Sequence, residues 1–217
     1  MNAPIPREVA QTVEFKLNGA DVVAQGDETI IQIADRLGVS IPRLCYKPGM
    51  RADGNCRSCM VEIKGERVLA PSCCRYPTQG MEVTSDSDRA VHAQKMIVEL
   101  LAADVAERVY RNDSELAFWK NELGIGTPRF ERRVQPPPDL SHPAMAVNLD
   151  ACIQCTRCVR ACREVQVNDV IGYAFRGPHS AIVFDEGDPM GESTCVACGE
   201  CVQACPTGAL APANYAY

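Results

Sequence analysis

Aromatic residues are scarce in this chain, at 6% with a single tryptophan, so a large ring-packed core is not expected and several small modules are. No window approaches 18 uninterrupted apolar residues, which excludes a membrane-spanning helix. The opening stretch MNAPIPREVAQ has neither the charged start nor the apolar centre of an export signal, so the expected location is the cytoplasm. The net charge is −6 and the basic residues form no long stripe, which argues against nucleic acid as a partner. A glycine-rich dinucleotide fingerprint is lacking too. Gly124-Ile125-Gly126 neither follows a strand nor opens a helix, so NAD and flavin are expected on partners rather than on this chain.

What the chain does have is thirteen cysteines. A secreted disulfide framework is disfavoured, because pairs separated by two residues recur and suit a metal better than a bridge. Eight of the cysteines form two similar runs, Cys152-x2-Cys155-x2-Cys158-x3-Cys162 and Cys195-x2-Cys198-x2-Cys201-x3-Cys205-Pro206. This is the spacing with which a chain wraps two cubane iron–sulfur clusters, each run giving three thiolates to one cluster and its fourth to the other. The expected ligand sets are Cys152, Cys155 and Cys158 with Cys205, and Cys195, Cys198 and Cys201 with Cys162. Zinc fits less well, since a zinc site closes with four ligands of its own rather than with two interlinked quartets. Such clusters pass one electron at a time, so the chain reads as a conductor with no catalytic residue of its own.

Upstream, VEFKLNGADVVAQ alternates about an Asn18-Gly19 turn and predicts a β-hairpin. ETIIQIADRLG then places Ile30, Ile33, Ala34 and Leu37 at helical spacing, with Asp27 as the expected N-cap and Gly38 as the stop. MVEIKGERVLA and MEVTS read as returning strands. Residues 87–123 are helical in pattern, in two pieces, with Phe118 and Trp119 expected to pack them onto a neighbour. The proline-rich segment 128–143 is expected to be extended, with Arg129, Arg132 and Arg133 in solvent. Between the two cysteine runs, VIGYAFRG and HSAIVFD predict an inserted hairpin. The expected fold is therefore α+β: an N-terminal β-grasp [2Fe-2S] ferredoxin domain over residues 1–86, a helical linker and connector over 87–143, and a C-terminal two-cluster bacterial-ferredoxin-like domain over 144–217.

The N-terminal cysteines, Cys45, Cys56, Cys59 and the adjacent pair Cys73 and Cys74, suit a [2Fe-2S] site in a β-grasp context. Neighbouring side chains of an extended segment point oppositely, so only one of the pair can ligate comfortably. The string SIPRLCYKPGMRADGNCRSCMVEI followed by APSC closely resembles the [2Fe-2S] domain of the complex I iron–sulfur subunit and its relatives. That resemblance, with its C-x10-C-x2-C-x13-C pattern, implies Cys45, Cys56, Cys59 and Cys73 as ligands and leaves Cys74 as a small buried residue. ACIQCTRCVRACREVQVNDVIGYAFRG and STCVACGECVQACPTGAL are similar to the double-cubane region of NAD-dependent molybdenum or tungsten formate dehydrogenase α subunits. The small diaphorase subunit of NAD-reducing hydrogenases is a further relative.

The resemblance implies one [2Fe-2S] cluster and two [4Fe-4S] clusters, and two partners: a Mo/W-pterin formate dehydrogenase catalytic domain or subunit, and an FMN- and NAD-binding flavoprotein subunit. A diaphorase role in a hydrogenase, or a freely diffusing ferredoxin-type carrier, are the alternatives. One departure from those families is internal. They place H-x3-C-x2-C-x5-C after the helix that here reads KMIVELLAADVAERVY, but this chain has no cysteine between Cys74 and Cys152, and His92 lies too early to substitute. His92, His142 and His179 are expected at the surface. The other departure is that only APANYAY follows PTGAL, so the catalytic part is expected on another polypeptide or in a longer version of this chain. Arg157, Arg160 and Arg163 flank the first run and could either raise a cluster's potential or form salt bridges on a helix surface.

Overall fold

The structure, a computed structural model, describes residues 12–105 and 111–215. The opening stretch MNAPIPREVAQ and part of the helical region, residues 106–110, lie outside the described residues. The chain divides into two compact units: residues up to Arg43 with Arg57–Gln94, and Leu44–Cys56 with Lys95 onward.

In the first unit, β1 (Val13–Leu17) and β2 (Ala20–Ala24) form the expected hairpin, with Leu17 opposite Ala20. The two turn residues Asn18 and Gly19 have φ of 51° and 83°, the left-handed pair that a two-residue turn needs to match strand twist. Helix α1 (Ile30–Arg36) follows, capped by Thr29 rather than Asp27. The reason is local: Thr29 and Gln32 form a reciprocal capping box, which Asp27 lies too early in the chain to make. The helix ends in a Schellman arrangement about Gly38, with Val39 N–H donating to Ala34 O and Gly38 N–H to Asp35 O.

Strands β3 (Met60–Ile63), β4 (Ala70–Pro71) and β5 (Glu82–Thr84) complete a five-stranded sheet in the order β2-β1-β5-β3-β4. Only the β1–β5 pair is parallel. This is the β-grasp arrangement the sequence implied. Phe15, Leu17, Val22, Ile30, Ile33, Val61, Ile63 and Val83 are all buried, so the period-2 residues of the strands and the i, i+3 residues of α1 supply the core.

Helix α2 (Asp88–Ala103) contributes residues to both units, and α3 (Glu115–Glu122) belongs to the second. Ser114 caps α3 by accepting from Ala117 N–H. Trp119 is buried as expected, but Phe118 is exposed and meets the Trp119 ring edge-on at 5.0 Å. At consecutive helix positions the two rings cannot share one face, so only one enters the core. The connector that follows is extended, and Arg129 and Arg132 are exposed as expected while each also forms an ion pair, whereas Arg133 is half-buried. Arg129 pairs with Glu99, Arg132 with Asp150, and Arg133 donates to Ser180 O.

The second unit's remaining elements are β6 (Met145–Val147), α4 (Arg157–Arg160), β7 (Ile171–Ala174), β8 (Ala181–Phe184), α5 (Glu200–Ala204) and β9 (Leu210–Pro212). β6 pairs with β9, and β7 with β8 as the inserted hairpin. α4 runs on into a π-helical turn over Ala161–Val165. An apolar cluster of Met145, Val147, Val159, Ile171, Phe184 and Leu210 includes Cys158, Cys162, Cys201 and Cys205, so the two cysteine runs share one core. No helix of the described residues is long and apolar enough to cross a membrane.

Candidate metal centres

The two C-terminal cysteine runs fold alike because each contains the same backbone reversal. Gln154 and Thr156, on either side of Cys155, have φ of 56° and 60°; Ala197 and Gly199, on either side of Cys198, have 57° and 79°. Each pair of left-handed residues curls the chain so that cysteines three apart converge, and each loop then enters a short helix, α4 or α5. Three of these four residues are not glycine, so this curl is held against an intrinsic preference.

Convergence produces two apolar cavities. One, small, is lined by Cys152, Cys155, Cys158 and Cys205 among Leu149, Ile153, Ile182 and Leu210. The other, also small, is lined by Cys162, Cys195, Cys198 and Cys201 together with Met145, Val170 and Ile171. Each cavity thus takes three cysteines from one run and one from the other. The exchange follows from α4 and α5 lying side by side, so the last cysteine of each run faces the neighbouring loop.

Backbone donors point at the sulfurs: Gln154 N–H to Cys152 Sγ at 3.4 Å and, at the matching place, Ala197 N–H to Cys195 Sγ at 3.4 Å. Burial pushes the Cys152 thiol up to about 11, despite the Gln154 N–H, and pushes Cys201 up to about 12, reinforced by the neighbouring Cys195 and Cys198. Cys155 and Cys158 are likewise pushed upward, first by burial and then by the sulfurs around them. Sulfurs so placed cannot all carry negative charge in an apolar cavity without cationic metal to offset it. Four sulfurs, apolar walls and N–H donors are the surroundings a cubane iron–sulfur cluster requires, and the residues present fit one in each cavity. The cavities differ in access: Cys155, Cys158 and Cys205 are buried in the first, whereas Cys198 of the second is exposed.

Of the N-terminal set, Cys59 and Cys73 lie in the first unit, at the ends of the β3–β4 ladder. Met60 pairs with Pro71, and Ser72 donates to Cys59 O through both its N–H at 3.0 Å and its hydroxyl at 2.9 Å. Cys73 is buried; Cys74 is exposed, its Sγ 3.6 Å from that of Cys73. Cys74 is therefore not the buried residue expected, because the chain turns at this point and leaves the second sulfur outward. Cys45 and Cys56 belong to the second unit, where Cys45 N–H donates to Cys56 Sγ at 3.3 Å.

What anchors the loop Leu44–Cys56 was not foreshadowed by any motif. Arg157 and Arg160, one helical turn apart on α4, are 2% and 3% exposed. Arg157 donates to Tyr46 O and forks onto both oxygens of Glu115; Arg160 donates to Cys45 O at 2.6 Å and to Arg51 O. Surface salt bridging does not describe these two, although it does describe Arg163, which pairs with Asp169 in the open. The i, i+3 spacing was visible, but which side of a four-residue helix is covered depends on a loop a hundred residues away. His142 also departs from expectation. It is buried, its Nδ1 accepting from Ala144 and Met145 N–H, which closes the turn into β6. Val98, Leu116 and Trp119 pack with Leu101, Val105, Leu123 and Ile125 into apolar core.

Comparison with known proteins agrees with this division of labour. Residues 10–88 match the 2Fe-2S iron-sulfur cluster binding domain, and residues 151–209 the 4Fe-4S dicluster domain. An NADH-quinone oxidoreductase subunit from Rhizobium meliloti is 30% identical over 94% of this chain and 24% of its own length. A Staphylococcus haemolyticus protein provisionally named formate dehydrogenase is 27% identical over 91% of this chain and 20% of its own. The chain therefore spans a fifth to a quarter of the length of these curated relatives. Among solved structures, a chain of an NAD+-reducing [NiFe]-hydrogenase in the H2-reduced state superposes with a TM-score of 0.84 at 26% identity, covering 92% of this chain and 87% of that one.

Proposed function

We propose that this iron–sulfur protein, a homologue of the iron–sulfur regions of NADH-quinone oxidoreductase, formate dehydrogenase-like proteins and NAD+-reducing hydrogenase, relays single electrons within an NAD-linked formate dehydrogenase. The partners would be a Mo/W-pterin centre that oxidises formate and a flavoprotein that reduces NAD. The observation that carries the reading is the pair of cysteine-lined apolar cavities built from exchanged ligands, in a chain that also has a β-grasp unit with its own cysteines. Iron–sulfur clusters supply reversible one-electron chemistry when bound. The chain's own contribution is to hold them: Cys152, Cys155, Cys158 and Cys205 in one cavity, Cys162, Cys195, Cys198 and Cys201 in the other, and Cys45, Cys56, Cys59 and Cys73 for the [2Fe-2S] site. N–H groups aimed at sulfur stabilise the negative charge gained on reduction, and the apolar walls keep water from the buried sulfurs.

A second reading, the diaphorase small subunit of an NAD-reducing hydrogenase, is favoured by one observation: the superposition on the hydrogenase chain holds over 92% of this chain at a TM-score of 0.84. Anaerobic co-purification separates the two. On the formate reading, formate reduces the chain's clusters, seen by EPR, in the complex it purifies with; reduction by hydrogen and not by formate establishes the other reading. A protein without iron refutes both.

A further inference from the structure

The guanidinium of Arg160 touches the backbone of two cysteines that belong to different cluster sites. Its Nη2 donates to Cys45 O at 2.6 Å and also lies 3.4 Å from Cys155 O. Cys45 is expected to hold the [2Fe-2S] cluster and Cys155 the first cubane. Around this contact the loop Leu44–Cys56 is fastened to the first cysteine run by several bonds. Arg157 donates to Tyr46 O, Asn55 Nδ2 donates to Thr156 Oγ1 at 2.9 Å, and Thr156 Oγ1 donates to Asp53 Oδ2 at 2.9 Å. Cys45 and Cys155 also share one apolar cluster with Leu44 and Ile153, with Cys56 packed against it.

The contacts of these arginines offset the cost of burying them only in part. Burying a guanidinium is costly unless it is paired, yet among the described residues Arg160 has no carboxylate closer than Asp53 Oδ2 at 3.9 Å and spends its donors on carbonyls. The Nε of both Arg157 and Arg160 is buried without a hydrogen-bond acceptor among the described residues. Arg160 is held against the carbonyls of Cys45 and Cys155 and the charge of Arg157 acts on the Cys155 sulfur, and buried cations so placed favour the more negatively charged state of whatever those cysteines bind.

We propose that Arg160, seconded by Arg157, is a positioning residue that clamps the [2Fe-2S] loop onto the first cubane loop and makes that pair the module's fast internal step. One electron leaves one cluster and enters the other, and no bond or proton need change. The inference rests on the relay reading above. The cysteines also differ in access: Cys155 shares an apolar cluster with Leu44 and Cys45 of the loop, whereas Cys198 of the other cavity is exposed, so a cluster held there would be the one open to an external partner.

The test uses the full chain, purified anaerobically and reduced with dithionite, as wild type, Arg160→Gln, Arg160→Lys, Arg157→Gln and, as a control, Arg163→Gln. Iron analysis and EPR count the clusters. The temperature dependence of the [2Fe-2S] signal then reports its magnetic coupling to a neighbouring reduced cubane. Arg160→Gln is expected to keep all three signals, to weaken that coupling, and to slow flash-initiated transfer between the two clusters about tenfold, equivalent to ~1.4 kcal/mol of barrier. The first cubane's midpoint potential should also fall. Arg157→Gln should show a smaller effect of the same kind. Arg160→Lys, which keeps the charge but not the planar fork, should restore the potential and not the coupling. Arg163→Gln should match wild type. Wild-type coupling and rate in Arg160→Gln would overturn the proposal, as would equal effects in Arg163→Gln. Loss of the cubane signals in both Arg160 variants would overturn it too, by making the arginine a folding requirement of its own loop. A wild type lacking the [2Fe-2S] or cubane signals would instead refute the relay reading.

Discussion

The exchange of the fourth cysteine between the two runs can be tested by a double substitution. Cys205 is the last cysteine of the second run, but lines the cavity of Cys152, Cys155 and Cys158; Cys198 lines the other. Replacing Cys205 by Ala removes one sulfur from a residue that is 9% exposed. The packing loss is about 1 kcal/mol, the size of one heavy atom deleted from a core. A domain with a stability of roughly 5–15 kcal/mol withstands that. Loss of a cluster would therefore report lost ligation rather than unfolding, and far-ultraviolet circular dichroism checks the point. Cys205→Ala alone should leave one intact cubane signal of two, and Cys198→Ala alone should also leave one. With exchanged ligands the two substitutions strike different clusters, so the double variant should retain no intact cubane, and only the [2Fe-2S] signal should survive. If each run instead kept its own four cysteines, both substitutions would strike one cluster and the double variant would still show one cubane by EPR. That outcome would refute the exchange.

Two other perturbations follow from the geometry. Cys73→Ser should abolish the [2Fe-2S] signal while Cys74→Ser leaves it intact, because Cys73 is buried beside the β3–β4 ladder and Cys74 is exposed; the reverse result in absorption and EPR would move the ligand by one position. Arg129 holds the Glu99 carboxyl down to about 2 through two side-chain bonds and its own N–H. A carboxyl whose pKa is lower folded than unfolded stabilises the fold fully above about pH 4.3, its unfolded value, and loses that contribution as pH falls toward 2. Denaturant midpoints measured between about pH 6 and pH 3 should therefore drop less in Arg129→Gln than in wild type; equal slopes would show that the pair does not matter.

The cysteine spacing was legible because ligation chemistry writes itself into sequence: a chain that must bring sulfurs to one cluster repeats them at short fixed intervals. The β-grasp order was legible through period-2 strands, the Asn18-Gly19 turn and one short helix. Some local features were not. The capping box at Thr29 competes with a neighbouring Asp that looks equally suitable, and the exposure of Cys74 depends on which way a turn leaves the ladder.

By itself, then, the sequence determined the cysteine spacing and the two kinds of iron–sulfur domain that carry it, since both follow from residue types at short separation. Only the tertiary structure decided that Arg157 and Arg160 are buried, that Arg129, Arg132 and Arg133 are paired, and that Leu44–Cys56 belongs with the dicluster unit. These depend on partners far along the chain, such as Tyr46 for Arg157 and Cys45 for Arg160. A charged side chain looks the same in sequence whether it faces water or a carbonyl, and the difference is made by what the folded chain lays over it.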